Sequence, residues 1–169
     1  MDKRIALVAA AMMSCNAGDT RRIEHSMKVF AYAQMLGGME GLSAGQQLTL
    51  ELTALLHDIG IHIAERKFGT SSATLQETEG PPVAREILTK IGFEPLVVER
   101  IGFIISKHHT FTAIDDQVFQ LLVEADFLVN SVEDAMSEQQ IVSFSRNIFK
   151  TQSGLQFLHH LFPQYISSL

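Results

Sequence analysis

The stretch that decides the fold is LTLELTALLHDIG, residues 48–60. Apolar residues fill two turns of it, which predicts a buried helix that starts at a cap on Ser43 and closes at His57-Asp58. Neighbouring residues of a helix point about 100° apart, so the side chains of His57 and Asp58 can reach a common point only if that point lies between their two directions. A metal ion there would satisfy both side chains. The alternative is a core histidine beside a capping aspartate.

The rest of the chain also has helical periodicity. Helices are expected at residues 5–13 and 19–37, whereas residues 66–80 are rich in Gly, Ser and Thr and predict a loop. Pro81-Pro82 would then occupy the first turn of a helix that ends near Gly92. Further helices are predicted at residues 95–108, 115–130, 137–148 and 152–162. The sequence therefore predicts an all-α single domain of seven to eight helices over residues 1–169.

The composition excludes several classes of function. The chain has 169 residues, 46% of them apolar, with a net charge of −6 and one cysteine. This charge argues against binding of a nucleic acid polymer, but it leaves room for a small phosphorylated ligand held by a metal. One cysteine allows no internal disulfide and no multi-cysteine zinc site. No apolar run approaches the ~20 residues that span a bilayer, so we expect no membrane segment and a cytoplasmic location.

Two further polar residues are unusual for a plain helical bundle. Asp126 lies in the apolar run VFQLLVEADFLV, residues 118–129, where a carboxylate must be paired or bind a metal. The alternative is a polar stripe shared with Glu124 or Asn130. His25 is ambiguous when taken alone. Together with the His-Asp pair, these residues supply two imidazoles and two carboxylates, a set that suits Mn²⁺, Fe²⁺, Co²⁺ or Zn²⁺.

The order His25, His57-Asp58, Asp126 resembles the HD-domain superfamily of metal-dependent phosphohydrolases. The segment LLHDIG at residues 55–60 matches that family closely. Further likeness lies in EGPPVAREIL at residues 79–88, ISKHH at 105–109 and EAD at 124–126. The resemblance covers roughly residues 20 to 130 and implies an all-α fold.

The resemblance also implies a ligand set. One divalent ion, with Mn²⁺ or Fe²⁺ favoured and Mg²⁺, Co²⁺, Ni²⁺ or Zn²⁺ compatible, would be held by His25, His57, Asp58 and Asp126. In dinuclear members the aspartate of the pair bridges to a second ion held by extra histidines. The first extra position is occupied here by Glu79, and the second would be His108 or His109. The alternative is that Glu79 and the histidines only complement the dipoles of their own helices.

The implied activity is hydrolysis of a phosphate ester in a small phosphorylated metabolite or nucleotide by metal-activated water. Asp58 would be essential to that step. His62, four residues beyond Asp58, and His108 are candidates for orienting water or assisting the leaving group. The candidates for holding the charge of the substrate are Arg66, Lys67 and Arg85, and the alternative is that they are solvated surface cations.

Two other functions stay open. An HD-fold di-iron oxygenase uses the same scaffold but needs two irons, and Glu79 in place of a histidine weakens that interpretation. A non-catalytic metal- or nucleotide-binding module is the other, since no carboxylate stands at residues 61–62 as a general base. A homodimer formed through the apolar C-terminal helix is also open.

Overall fold

The computed structural model describes residues 2–166, and these form helices and no strand. The helices are α1 (Lys3–Cys15), α2 (Thr20–Met39), α3 (Ala44–Leu56), α4 (Ile61–Phe68), α5 (Ala73–Ile91), α6 (Pro95–Ile105), α7 (Gln117–Glu133), α8 (Glu138–Asn147) and α9 (Gln152–Leu161), with a 3₁₀ turn at Phe111–Ala113. The predicted all-α fold is confirmed. The ends of the predicted domain, residue 1 and residues 167–169, lie outside the described residues.

Side-chain caps explain where several helices begin. Asp19 accepts a hydrogen bond from the Arg22 N–H and so starts α2. Ser43 starts α3 with a capping box completed by Gln46. These caps satisfy backbone N–H groups that have no partner within the helix, which is why the predicted starts of both helices agree with the structure to within a residue or two.

The loop predicted at residues 66–80 is wrong. Helix α4 continues to Phe68 and α5 begins at Ala73, so that Pro81 and Pro82 lie inside α5 and not in its first turn. The reason is packing between elements. A Cβ added to Gly60 would lie 2.5 Å from the Gly80 backbone nitrogen, so the start of α4 and the middle of α5 meet backbone to backbone. Such packing outweighs the local preference of Gly, Ser and Pro.

The core has two parts, and α3 lies between them. Leu50 and Ala54 of α3 belong to a cluster built around α7, with contributions from α2 and α9. Leu52 and Leu55, on another face of α3, belong to a second cluster with α1, α5 and α6. The C-terminal end of α3 is therefore fixed from both sides, and this is the end that carries the His-Asp pair. No helix within residues 2–166 is long and apolar enough to cross a membrane.

Candidate metal centre

Three helices bring the four predicted ligands together. His57 caps the C-terminus of α3 and is 1% exposed, with Asp58 directly after it. His25 comes from α2 and Asp126 from α7, the two helices that pack against each other and against α3. The junction of three packed helices holds each side chain in one direction.

The ligand atoms of these residues converge. The Asp126 Oδ1 atom lies 3.2 Å from His25 Nε2 and 3.4 Å from His57 Nε2. The two Nε2 atoms are 3.3 Å apart. Asp58 Oδ2 completes the group at 3.5 Å from His57 Nε2 and 3.7 Å from His25 Nε2. Ligands that share one ion at about 2.1 Å lie about 3.0–3.5 Å from each other, so the separations have the size that a common ion requires.

The hydrogen bonds of the rings show which nitrogen faces the cluster. In each of three histidines, His25, His57 and His108, the Nδ1 atom lies within 3.0 Å of an oxygen that can only accept. These acceptors are the Glu133 carboxylate and the carbonyls of Ala54 and Ile105. Nδ1 therefore carries a proton in each ring, and in the neutral ring the Nε2 lone pair is directed at the aspartates.

A second group of ligand atoms adjoins the first. Asp58 Oδ1 lies 3.4 Å from His108 Nε2, and the ligand atoms of Asp58, His108 and His109 all lie within 4.8 Å of one another. The Nε2 atom of His108 is buried and has no hydrogen-bond partner. Asp58 belongs to both groups, with one oxygen directed at each.

This donor set fits divalent metal ions. Imidazole lone pairs and carboxylate oxygens meet with few donors between them, an arrangement that is unfavourable unless a cation or a proton lies among them. The partnerless Nε2 of His108 is the clearest sign, because buried polar atoms almost always have a partner. His25, His57 and Asp58 fit one ion, with Asp126 beside both rings, and Asp58 with His108 and His109 fits a second.

The carboxylates also determine how the rings titrate. Burial opposes charge on His57, but Asp58 and Asp126 outweigh it and raise the pKa of His57 to about 9. Burial likewise opposes the ionisation of Asp126, but His25 and His57 hold its pKa well below the usual range. Burial and the neighbouring His108 lower the pKa of His109 to about 4. Without a metal, a proton on one of the rings therefore balances the negative charge of the aspartates. A metal ion could replace that proton.

A family model for the HD domain matches residues 22–143, which include all of these side chains. The chain belongs to the HD-domain family. No curated protein and no solved structure matches the chain significantly. HD domains are of the metal-dependent phosphohydrolase type and bind divalent metals, in keeping with the cluster. We call His25, His57, Asp58, His108, His109 and Asp126 the HD centre.

His62 lies beside the HD centre and not in it. Its ring contacts the Arg22 guanidinium at 3.2 Å and lies 3.6 Å from both Asp19 and Glu65. Arg22 in turn pairs with Glu65 at 2.6 Å. This ionic network lies at one side of a cavity of about 260 Å³ whose lining includes Arg22, His25 and Asp58. His62 is thus held by its neighbours at the edge of that opening.

The structure does not bring Glu79 to the HD centre. Its carboxylate pairs with Lys67 of α4 at 2.5 Å, and it belongs to neither group of ligand atoms. The physical reason is the helical conformation of residues 73–80. Gly80 faces the α4 start, and Glu79, one residue earlier, points about 100° away from it. The prediction that Glu79 faces the metal assumed that the segment before it is a loop.

The three predicted substrate-binding cations also lie apart from the HD centre. Lys67 is occupied by Glu79, and Arg85 pairs with Glu99 of α6 at 2.9 Å. Arg66 is exposed near the end of α4. Ion pairs and exposure of this kind are typical of surface cations.

Sequence reasoning missed several residues that support the ligands. Asn130 donates to Asp126 Oδ1 at 2.9 Å, and Glu133 accepts from His25. The signal was present, because residues 126, 130 and 133 recur at i, i+4 and i+7 and share one face of α7. Glu77, which accepts from the His109 N–H at 3.1 Å, was hidden by the incorrect loop.

A larger cavity also adjoins the HD centre. It measures about 650 Å³ and lies between α7 and α8, with Asp126 and His109 in its lining. Phe111, Phe127 and Phe144 line its walls. Two cavities therefore adjoin the HD centre, one ionic and one apolar.

Proposed function

We propose that this HD domain is a metal-dependent phosphohydrolase that cleaves a phosphate ester of a small metabolite or nucleotide. The observation that carries the proposal is the sharing of Asp58 between two adjoining groups of ligand atoms beside open cavities. Adjacent cation positions next to space for a substrate suit phosphoryl transfer, where negative charge must be neutralised at neighbouring oxygens. The net charge of −6 further supports a small substrate and not a nucleic acid polymer.

Each residue has a defined part in the proposal. His25, His57, Asp58 and Asp126 would hold the first ion, and Asp58, His108 and His109 a second. Mixed nitrogen and oxygen ligands favour Mn²⁺ or Fe²⁺, with other divalent ions able to substitute. A bound divalent ion supplies Lewis-acid activation of water and neutralises charge on the phosphate.

The surrounding side chains position these ligands. Glu133 fixes the proton of His25 on Nδ1, and the Ala54 and Ile105 carbonyls do the same for the other two rings. Asn130 orients the Asp126 carboxylate. In this proposal His108 is a ligand and not the general acid predicted from the sequence, since its free nitrogen is directed at Asp58. Arg22, at the smaller cavity, is better placed to contact phosphate than Arg85.

The test is turnover by the metal-loaded protein. We expect release of inorganic phosphate from a panel of phosphate monoesters with Mn²⁺ or Fe²⁺, abolished by a chelator and by Asp58→Asn. Asp115→Asn is the matched control, because Asp115 is an exposed carboxylate paired with Arg100 outside the HD centre. Circular dichroism of both variants shows whether the helical fold is retained.

Two outcomes would contradict the proposal. Bound metal without turnover of any ester would indicate a binding module. Two bound irons with oxygen consumption, and a paramagnetic resonance signal in place of phosphate release, would indicate the oxygenase, a function with which the shared Asp58 is also compatible.

A further inference from the structure

The cavity between α7 and α8 is walled by aromatic rings. The rings of Phe127 and Phe144 are stacked, with centroids 3.7 Å apart and planes inclined by 12°. Phe111 meets Phe144 edge to face, at 5.2 Å and 85°. Exposed aromatic edges and faces beside a space of about 650 Å³ form a site of the size that takes small organic molecules.

The same cavity offers no cation to a ligand. Its lining, all of it within the described part of the chain, includes neither Lys nor Arg, and Asp126 is its one carboxylate. Apart from His109, the other polar groups are amides and a hydroxyl, from Gln139, Asn147 and Ser143 among others. A charged group placed between the phenyl rings would lose hydration without gaining a partner. The cavity therefore selects against anionic groups.

The cavity and the HD centre are continuous. Asp126 and Asn130 line the cavity while Asp126 also contacts His25 and His57, so one carboxylate belongs to both. A molecule whose phosphate lies at the HD centre would place its organic part against the phenyl rings. Arg21 and Arg22 line the smaller cavity and not this one.

We propose that the larger cavity binds the alcohol part of the substrate, and that this part carries an uncharged aromatic or heteroaromatic ring. The inference rests on the proposed phosphohydrolase function for the presence of a phosphate ester, and on the cavity alone for the ring. Stacking between the flat ring and the phenyl walls supplies affinity, and the rim amides can meet ring heteroatoms. Hydrolysis releases the ring-bearing alcohol and inorganic phosphate.

Two esters with comparable leaving groups test the preference. 2-(1-Naphthyl)ethyl phosphate and glycerol 3-phosphate are both esters of primary alcohols, so intrinsic reactivity differs little. With the metal-loaded protein we expect kcat/KM to be about 100-fold higher for the naphthyl ester. In Phe144→Ala this ratio should fall about tenfold, because one stacking face is lost. Phe68→Ala, which truncates a phenylalanine 54% exposed at the end of α4, is the matched control and should leave the ratio unchanged.

A binding measurement keeps the ring site separate from turnover. The chain has no Trp, so the fluorescence of 2-(1-naphthyl)ethanol can be followed on the protein directly. Its dissociation constant should rise about tenfold in Phe144→Ala and stay constant in Phe68→Ala. Should Phe144→Ala fail to fold, Ser143→Trp fills the cavity from an exposed position and should raise KM for the naphthyl ester alone.

The outcomes distinguish the two proposals. Equal turnover of both esters would overturn the ring preference and leave the phosphohydrolase function standing. Binding of the naphthyl alcohol that depends on Phe144, without turnover of any ester, would support the ring site and overturn the function. Binding that is insensitive to Phe144→Ala, or a KM for the naphthyl ester that is unchanged in Ser143→Trp, would overturn the ring site directly.

Discussion

Glu124 and Asp126 lie two residues apart in α7, and both are carboxylates in an apolar helix, but their surroundings are opposite. Glu124 is fully buried and accepts hydrogen bonds from the backbone N–H groups of Lys150 and Thr151. The Thr151 hydroxyl and the Gln120 amide also donate to it. Glu124 thus joins α7 to the chain segment that begins α9.

Asp126 faces two imidazole rings where Glu124 faces only donors. Its Oδ1 atom lies 3.2 and 3.4 Å from the Nε2 atoms of His25 and His57, and the Asn130 amide also donates to it. Burial raises the pKa of Glu124, whereas at Asp126 the two rings overcome burial and lower the pKa. The difference teaches that a buried carboxylate marks a metal site when its partners are imidazoles, which can exchange a proton for a metal ion, and not through burial itself.

The largest expected effect is on stability at Glu124. Glu124→Ala removes the acceptor of four hydrogen bonds, two of them from backbone N–H groups, and should lower the free energy of unfolding by about 4 kcal/mol. That is a large fraction of the 5–15 kcal/mol typical of whole domains. Urea unfolding in the presence of a chelator measures it.

Asp126→Ala is the matched comparison in the same experiment. After this carboxylate is removed, the neighbouring rings can give up their proton and leave no unpaired charge, so the metal-free protein should lose less than half as much stability. Equal losses in the two variants would show that Asp126 is as much a structural carboxylate as Glu124.

The next effect is the pH dependence of the metal-free protein. The pKa of His57 is raised from 6.5 to about 9, so its protonated form contributes stability that is complete below pH 6.5 and is lost as pH rises to about 9. A shift of that size corresponds to about 3 kcal/mol. The free energy of unfolding with chelator present should fall across this window.

Two variants examine whether His57 is the group responsible. His57→Gln should flatten the decline between pH 6.5 and 9, whereas His160→Gln, at an exposed histidine of α9, should leave it unchanged. Saturating metal should also oppose the decline, because a metal binds the neutral ring and gains affinity as protons leave. A steep decline that persists in His57→Gln would assign it to other groups.

The helices and their caps could be predicted because they follow from local chemistry. Ser43 and Asp19 are good caps, and apolar spacing of 3.6 residues is visible in one sequence. The error at residues 66–80 arose because the contact that favours helix there, between Gly60 and Gly80, joins residues twenty positions apart in the chain. The conformational preferences of neighbouring residues do not include a contact between residues so far apart in the sequence.

The candidate site was predicted unevenly for a similar reason. Residues that lie in recognisable motifs, such as His57 and Asp58, do converge with His25 and Asp126. The direction of the Glu79 carboxylate depends on the conformation of the segment before it, which one sequence does not show. The aromatic cavity was not foreseen, since Phe127 and Phe144 come from different helices and their stacking is a tertiary contact.

Metal binding should stabilise the protein through Asp126 and not through Glu124. At a metal concentration 100 times Kd, the expected gain is about 2.7 kcal/mol, or about 5–10 °C in Tm for a chain of this size. Asp126→Asn should abolish the gain with Mn²⁺, and Glu124→Gln should keep it even from a lower starting Tm. Differential scanning calorimetry with and without metal measures both. A full gain in Asp126→Asn would remove this residue from the ligand set.

The smallest effect concerns Glu133, which contacts His25 from outside the cluster. Its Oε2 atom accepts the Nδ1–H bond at 3.0 Å, and its Oε1 atom pairs with Lys28 at 3.0 Å. Glu133→Gln keeps an oxygen that can accept but removes the charge that makes the ring a better ligand. We expect Mn²⁺ affinity to fall about tenfold, at the low end of the range for residues that support metal ligands.

Glu24 provides the control for Glu133 because it shares the same lysine. Its carboxylate lies 3.9 Å from Lys28 Nζ and is 70% exposed, and it has no contact with the HD centre. Glu24→Gln should therefore leave the Mn²⁺ dissociation constant unchanged when both variants are titrated by calorimetry at one pH. If the two variants weakened binding equally, the effect would come from the charge of Lys28 and not from the ring. A loss of Mn²⁺ affinity confined to Glu133→Gln would extend the contrast between Glu124 and Asp126. The acceptor at the His25 ring would then determine metal affinity, whereas the donors around Glu124 determine the stability of the fold.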